Sequence, residues 1–167
     1  MRYRLSLFLA LISSVAMAGS SSRAYAQASP APAASAAAPS APITADGEAP
    51  GTQVQVKTLK RVGGDSLMLE LVIINSSSSS YDPNNLQSST YRSADGIYLV
   101  DMAGKKKYEV VRDTDGSCLC SKNLEEISGN SSLNIWAKFP APPDSVQKIG
   151  VVVPHFMPMD DVPISPQ

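Results

Sequence analysis

Residues Ser66–Asn75 read SLMLELVIIN, and this stretch decides the fold. Leu67, Leu69, Leu71 and Ile73 fall on one side of an extended chain, and Met68, Glu70, Val72 and Ile74 on the other. Period-two alternation of this kind marks a β-strand. One wholly apolar face beside a mostly apolar second face places that strand inside a sheet rather than at its edge. Upstream, Gly63-Gly64-Asp65 reads as a turn, and before it Val54, Val56 and Thr58 alternate with Gln53, Gln55 and Lys57. The two runs form an expected hairpin.

The same pattern recurs downstream. A polar loop, Ser76 to Asp95, contains five consecutive serines and Asp82-Pro83-Asn84-Asn85. Strands are then expected at Gly96–Met102 and Lys107–Arg112, joined through Ala103-Gly104-Lys105-Lys106, which has hairpin composition. Ser131–Phe139 sets Leu133, Ile135, Ala137 and Phe139 inward against Ser132, Asn134, Trp136 and Lys138. Val146–Val153 forms a further strand, with a short last one at Val162–Ser165. About seven short strands at regular spacing, with no helical periodicity, imply an all-β, immunoglobulin-like antiparallel sandwich. Seven prolines between residues 140 and 166 suit strand edges and loops, where no ladder hydrogen bond is needed.

Ahead of this domain the composition changes twice. Arg2 and Arg4 precede an apolar run, Leu5–Ala18, too short to cross a bilayer comfortably as a mature helix. Small residues offer two cleavage sites, Ala16-Met17-Ala18 and Ala24-Tyr25-Ala26, of which the second is favoured. Residues 1–26 are therefore read as a signal peptide, without a nearby cysteine for lipid attachment. Residues 27–51 are almost wholly Ala, Pro and Ser, a composition with too little bulky apolar surface to offset its ordering entropy. They are read as a disordered linker, leaving 52–167 as the folded domain. Export to the periplasm or the extracellular space follows.

Charge excludes some partners. Without Arg2, Arg4 and Arg23 the 14 basic residues fall to 11 against 15 acidic ones, a net charge of −4. That balance argues against nucleic acid, and the mature chain holds no expected membrane span.

The ordered pieces GIYLVDMAGKKKYEVVRD, DGSCLCS, LNIWAKFPAPP and VVVPHFMPMDDVPIS resemble bacterial exported immunoglobulin-like domains. They are similar to the modules that precede OmpA-like peptidoglycan-binding domains in envelope proteins. The resemblance spans about residues 52–165, rests mainly on LVD-x-x-GKKKY, D-G-x-C-L-C-S and W-x-x-FPAPP, and implies no catalytic residue. It implies a binding or accessory module, not an enzyme, whose partner is a protein or a cell-envelope component.

Several local patterns suggest chemistry. Gly64-Asp65-Ser66-Leu67 spells the GDSL esterase signature, but that chemistry needs a C-terminal Asp-x-x-His, and Val152 precedes the only histidine, His155. A hairpin turn is the simpler reading. Cys118 and Cys120, the only cysteines, suit an internal disulfide in an oxidising compartment, provided the chain bends between them. A dithiol metal site and intermolecular bridges are the competing readings. Asp113, Asp115 and Ser117 resemble the start of a calcium loop, yet Leu124 stands where the bidentate Glu belongs.

The alternative function rests on His155, Met157 and Met159. An imidazole with two thioethers is a soft donor set that suits copper(I), so the rival reading is a periplasmic copper carrier. The leading reading needs no cofactor. Its candidate interaction surface is aromatic: Trp136, which alternation points away from the core unless the strand is bulged or the ring packs in a second layer, with Tyr81 and Tyr91 in the serine-rich loop region. Asn75-Ser76-Ser77 and Asn130-Ser131-Ser132 match the glycosylation pattern but read as polar strand ends.

Overall fold

The computed structural model describes residues 41–63, 65–83 and 92–166. The expected signal peptide and the linker up to residue 40 lie outside the described residues. Eight strands follow in order: β1 Thr44–Asp46, β2 Thr52–Val62, β3 Ser66–Asn75, β4 Tyr98–Asp101, β5 Lys106–Glu109, β6 Ser131–Pro140, β7 Lys148–Val152 and β8 Met159–Pro163. They build two antiparallel sheets, β1-β2-β3-β6 and β5-β4-β7-β8. No α-helix occurs among the described residues.

β3 occupies the position its alternation implied. It is paired along its whole length with β2 on one side and β6 on the other. Leu67, Leu69, Leu71 and Ile73 are at most 1% exposed and meet Leu99, Val151 and Val153 in one shared core. Burying each such side chain is worth about 1.5–3 kcal/mol. This single strand therefore supplies a large share of the force holding the two layers together. β6 contributes Ile135, Ala137 and Phe139 to the same core, as its alternation required, while Leu133 near its start is only partly buried.

Two expectations shift at the edges. The linker ends earlier than its composition suggested: β1 pairs Thr44 with Gln55 and Asp46 with Gln53. Ala45 is buried and Ile43 packs on the core, so two apolar side chains in a polar, Pro-rich context suffice to dock the segment. In β2 the register slips between Val56 and Thr58, leaving Lys57 as an extra residue. Such a bulge reverses the alternation beyond it. Val54 and Leu59 are consequently both buried, while Thr58 turns outward and donates a hydrogen bond to Glu70 (3.0 Å).

Both sheets are closed at their corners. Beyond β8, Ser165 lies beside β2, its N–H bonded to the Leu59 carbonyl and its carbonyl accepting the Arg61 N–H. At the opposite corner, residues 117–121 bridge the end of β5 to β6. Paired edges leave few free donors and acceptors for unwanted strand addition.

Asn75, fully buried at the end of β3, organises the loop that follows. Its amide nitrogen donates to the carbonyls of Ser79, Ile127 and Ser128, and its oxygen accepts from the Ser77 N–H and hydroxyl. This also closes the glycosylation question at Asn75, whose nitrogen is fully engaged. Asn75→Ala should destabilise the protein by about 1–3 kcal/mol, because it removes five hydrogen bonds made by a buried side chain. A loss below half a kilocalorie in urea unfolding would show that solvent replaces those bonds.

Candidate functional site

Trp136 sits near the centre of β6, opposite Glu70 of β3. Its neighbours Ile135 and Ala137 are buried, whereas Trp136 is 40% exposed, so the alternation is regular and the indole faces outward. On the β3 side lies an open depression of about 390 Å³ bordered by Lys57, Met68, Glu70 and Asn134. On the other side lies one of about 570 Å³ bordered by Leu119, Ser121, Asn123 and Leu133. The indole thus stands between two hollows, with charged and amide side chains around it. Lys57 Nζ donates to Asn134 Oδ1 (3.2 Å), so the bulged residue of β2 reaches across the sheet to this surface.

The outer edge of β6 is already occupied at Trp136 and Lys138. The Ser121 N–H donates to the Trp136 carbonyl (2.9 Å), and the Trp136 N–H donates to Ser121 Oγ (3.0 Å). The Lys138 N–H donates to the Leu119 carbonyl (2.9 Å). A peptide cannot add here as an extra strand, so a ligand at Trp136 must be held by side chains. Nothing in the composition of residues 117–121 signals this pairing, which joins residues 15 positions apart.

Cys118 and Cys120 are joined in a disulfide with their Cα atoms 5.3 Å apart. Two residues along a flat strand would separate them by about 6.6 Å. The bend comes from the turn before them. The Asp113 carboxylate accepts the N–H groups of Asp115 and Ser117, and Gly116 adopts φ +79°. That carboxylate is therefore committed to main-chain donors, in keeping with a turn rather than a calcium loop. Closing so small a ring contributes only about 1.5 kcal/mol. The bond shapes a corner more than it holds the fold together. Arg112 ties the same corner to the next loop through Asp95, whose side chain is almost fully buried (3.0 Å).

Of the three residues expected to form an aromatic surface, Trp136 is exposed and Tyr81 is not. Tyr81 is buried, stacked edge-on against Phe156 at 6.4 Å, because its main chain pairs with Ile127 beneath the serine-rich loop. Tyr91 lies outside the described residues. The copper donor set also disperses. Met159 is core, opposite Val151 in β8, while Met157 is 66% exposed. His155, at φ +65°, turns its Nδ1 to Glu48 (2.8 Å). Alternation along Met157-Pro158-Met159 is broken, so two residues that look equivalent in the sequence end on opposite sides of the surface.

The esterase pattern is likewise split. Ser66 opens β3 just past the β2–β3 turn, whereas His155 lies by Phe156, which bridges Gly47 at the far end of β2. Eleven residues of extended chain separate the two by about 30 Å, so they cannot share a proton.

Two exposed features escaped the sequence reading. Met102 is 76% exposed at the β4–β5 hairpin, and next to it Lys107 and Lys106 lie over the rings of Tyr98 and Tyr108 at 4.3 and 5.0 Å. The β4–β5 register brings Lys107 onto Tyr98, whereas Lys106 and Tyr108 are two residues apart on β5 itself.

Burial, reinforced by Glu48 and Asp82, raises the Tyr81 pKa above its ordinary value of 10.0; burial, then Asp101, does the same for Tyr108. A phenol whose pKa is raised by folding lends stability that is full below about pH 10 and vanishes as pH climbs through the folded value. The urea midpoint should therefore drop above about pH 10, and drop less in Tyr81→Phe/Tyr108→Phe. Equal alkaline losses in both proteins would contradict the assignment. Comparison of the chain with family models, curated proteins and solved structures finds no match.

Proposed function

We propose that this chain is an exported, non-enzymatic binding module of immunoglobulin-like type, and that its ligand is held at Trp136. The strand order β2-β3-β6 against β5-β4-β7-β8, with β1 as an added edge strand, supports an immunoglobulin-like assignment. The observation that carries the functional reading is Trp136 itself. A large aromatic left 40% exposed on an ordered strand, between two hollows, costs free energy until something covers it. Lys57, Glu70 and Asn134 around the ring supply both donors and acceptors. A partner with polar groups at the rim of an apolar or ring-shaped centre fits this surface. A protein side-chain cluster or a cell-envelope component meets that description.

The copper-carrier reading draws no support from the placement of its residues, since Met159 is core and Met157 solvent-facing. The module reading is tested with the chain's single tryptophan, whose emission reports on this site alone. Titration with purified cell-wall fragments and with envelope protein fractions should give a saturable change in emission for one of them. Trp136→Ala should weaken that binding at least about ten-fold, as truncating a central aromatic does at interfaces, with little change in melting temperature. Binding equal in the variant and the wild type would move the ligand site elsewhere.

A further inference from the structure

The two sheets meet at a corner filled by residues 117–121. On one side Cys118 bridges Arg112, just beyond β5; on the other Cys120 bridges Ala137 of β6. Leu119, between them, is bonded to both sheets. Its N–H donates to the Val111 carbonyl (2.8 Å), and its carbonyl accepts the Lys138 N–H (2.9 Å). The Val111 N–H completes the triangle by donating to the Lys138 carbonyl (2.8 Å). The disulfide therefore spans the residue at which the chain crosses from one layer to the other.

One residue further on, Ser121 bonds both main-chain polar groups of Trp136. The wall of the larger hollow and the seat of the indole are thus the same short segment, and the disulfide lies within it. Cys118 and Cys120 are 5% and 3% exposed, but both line that hollow. Cys118 also borders a second depression, of about 500 Å³, shared with Arg112 and Lys122. The bond is buried, yet Cys118 borders both hollows and Cys120 the larger one.

We propose that the Cys118–Cys120 disulfide is a redox latch on the Trp136 surface. In its closed, oxidised form it holds Ser121 against β6. A dithiol opens it by thiol–disulfide exchange. One thiolate of the reductant attacks a cysteine sulfur, forming a mixed disulfide and expelling the other cysteine as a thiolate, which takes a proton from solvent. The second thiol of the reductant then displaces the first cysteine. Two electrons pass to the protein, leaving two thiols, and the reductant leaves as its own disulfide. Because the ring is small and at a corner, its opening frees residues 117–121 without exposing β3. The latch concerns the same surface as the binding reading, yet its test involves no ligand, so either can fail alone.

The test uses the purified protein, oxidised and then incubated with dithiothreitol in the absence of denaturant. Thiol titration should find two thiols per chain. Trp136 emission should shift to the red, and amide exchange at residues 119–121 and 136–138 should accelerate by about ten-fold or more, with β3 unchanged. Reoxidation should reverse both changes. Cys118→Ala/Cys120→Ala should show the reduced-state emission from the outset and ignore dithiothreitol. Should that variant fail to fold, the wild-type measurements decide alone. Two thiols with unaltered emission and exchange would overturn the latch. So would thiols that emerge only in denaturant, which would make the bond a fixed staple.

Discussion

The burial of one face of β3 is the constraint on which the rest depends. Leu67, Leu69, Leu71 and Ile73 cannot be covered by β2 and β6, which lie beside them in the same sheet, so a second layer must close over them. Leu99 of β4, Val151 of β7 and Val153 do so. The opposite face of β3 then has to tolerate water. It carries Met68, Glu70, Val72 and Ile74 at intermediate burial, and it is this half-covered surface that Trp136 adjoins. The candidate site is in that sense the reverse side of the core.

Two layers of short strands leave four edges, and each unpaired edge invites aggregation. Here much of that edge is taken up by irregular chain. β1 and the Ser165 segment share the outer edge of β2, one at each end. Residues 117–121 cover β6, and the edge of β5 carries Lys106 and Lys107. Closure by loops instead of strands has a functional consequence. A loop can be reset by a local change, whereas a ladder of ten pairs such as β3–β6 cannot. Placing the disulfide in the loop segment puts the adjustable part of the fold next to its exposed aromatic.

Polar groups in this protein are deployed mainly to fix loops. Asn75 satisfies three carbonyls, the Asp113 carboxylate two N–H groups, and Asp95 receives Arg112. No buried side-chain nitrogen or oxygen among the described residues lacks a hydrogen-bond partner. The surface around Trp136 differs, since Lys57, Glu70 and Asn134 meet solvent there as well as one another or a neighbour.

What the sequence by itself determined is the part governed by local alternation. The positions of β3 and β6, the inward set Ile135, Ala137 and Phe139, and the outward direction of Trp136 all follow from period two, because a strand has no other way to place successive side chains. The bend ahead of Cys118 was legible for a similar reason, since Asp113 to Gly116 carries turn chemistry in its own residues. Wherever an extra residue or a distant partner enters, that logic stops. The bulge at Lys57 turned Thr58 outward, two apolar side chains recruited part of an apparent linker into β1, and Tyr81 was drawn inward by a bridge to Ile127. Met157 and Met159 parted because the chain before β8 is not a strand. Only the tertiary structure decided that residues 117–121 would close the edge of β6. That contact joins segments whose attraction lies in main-chain hydrogen bonds, which every residue type offers and no sequence pattern advertises.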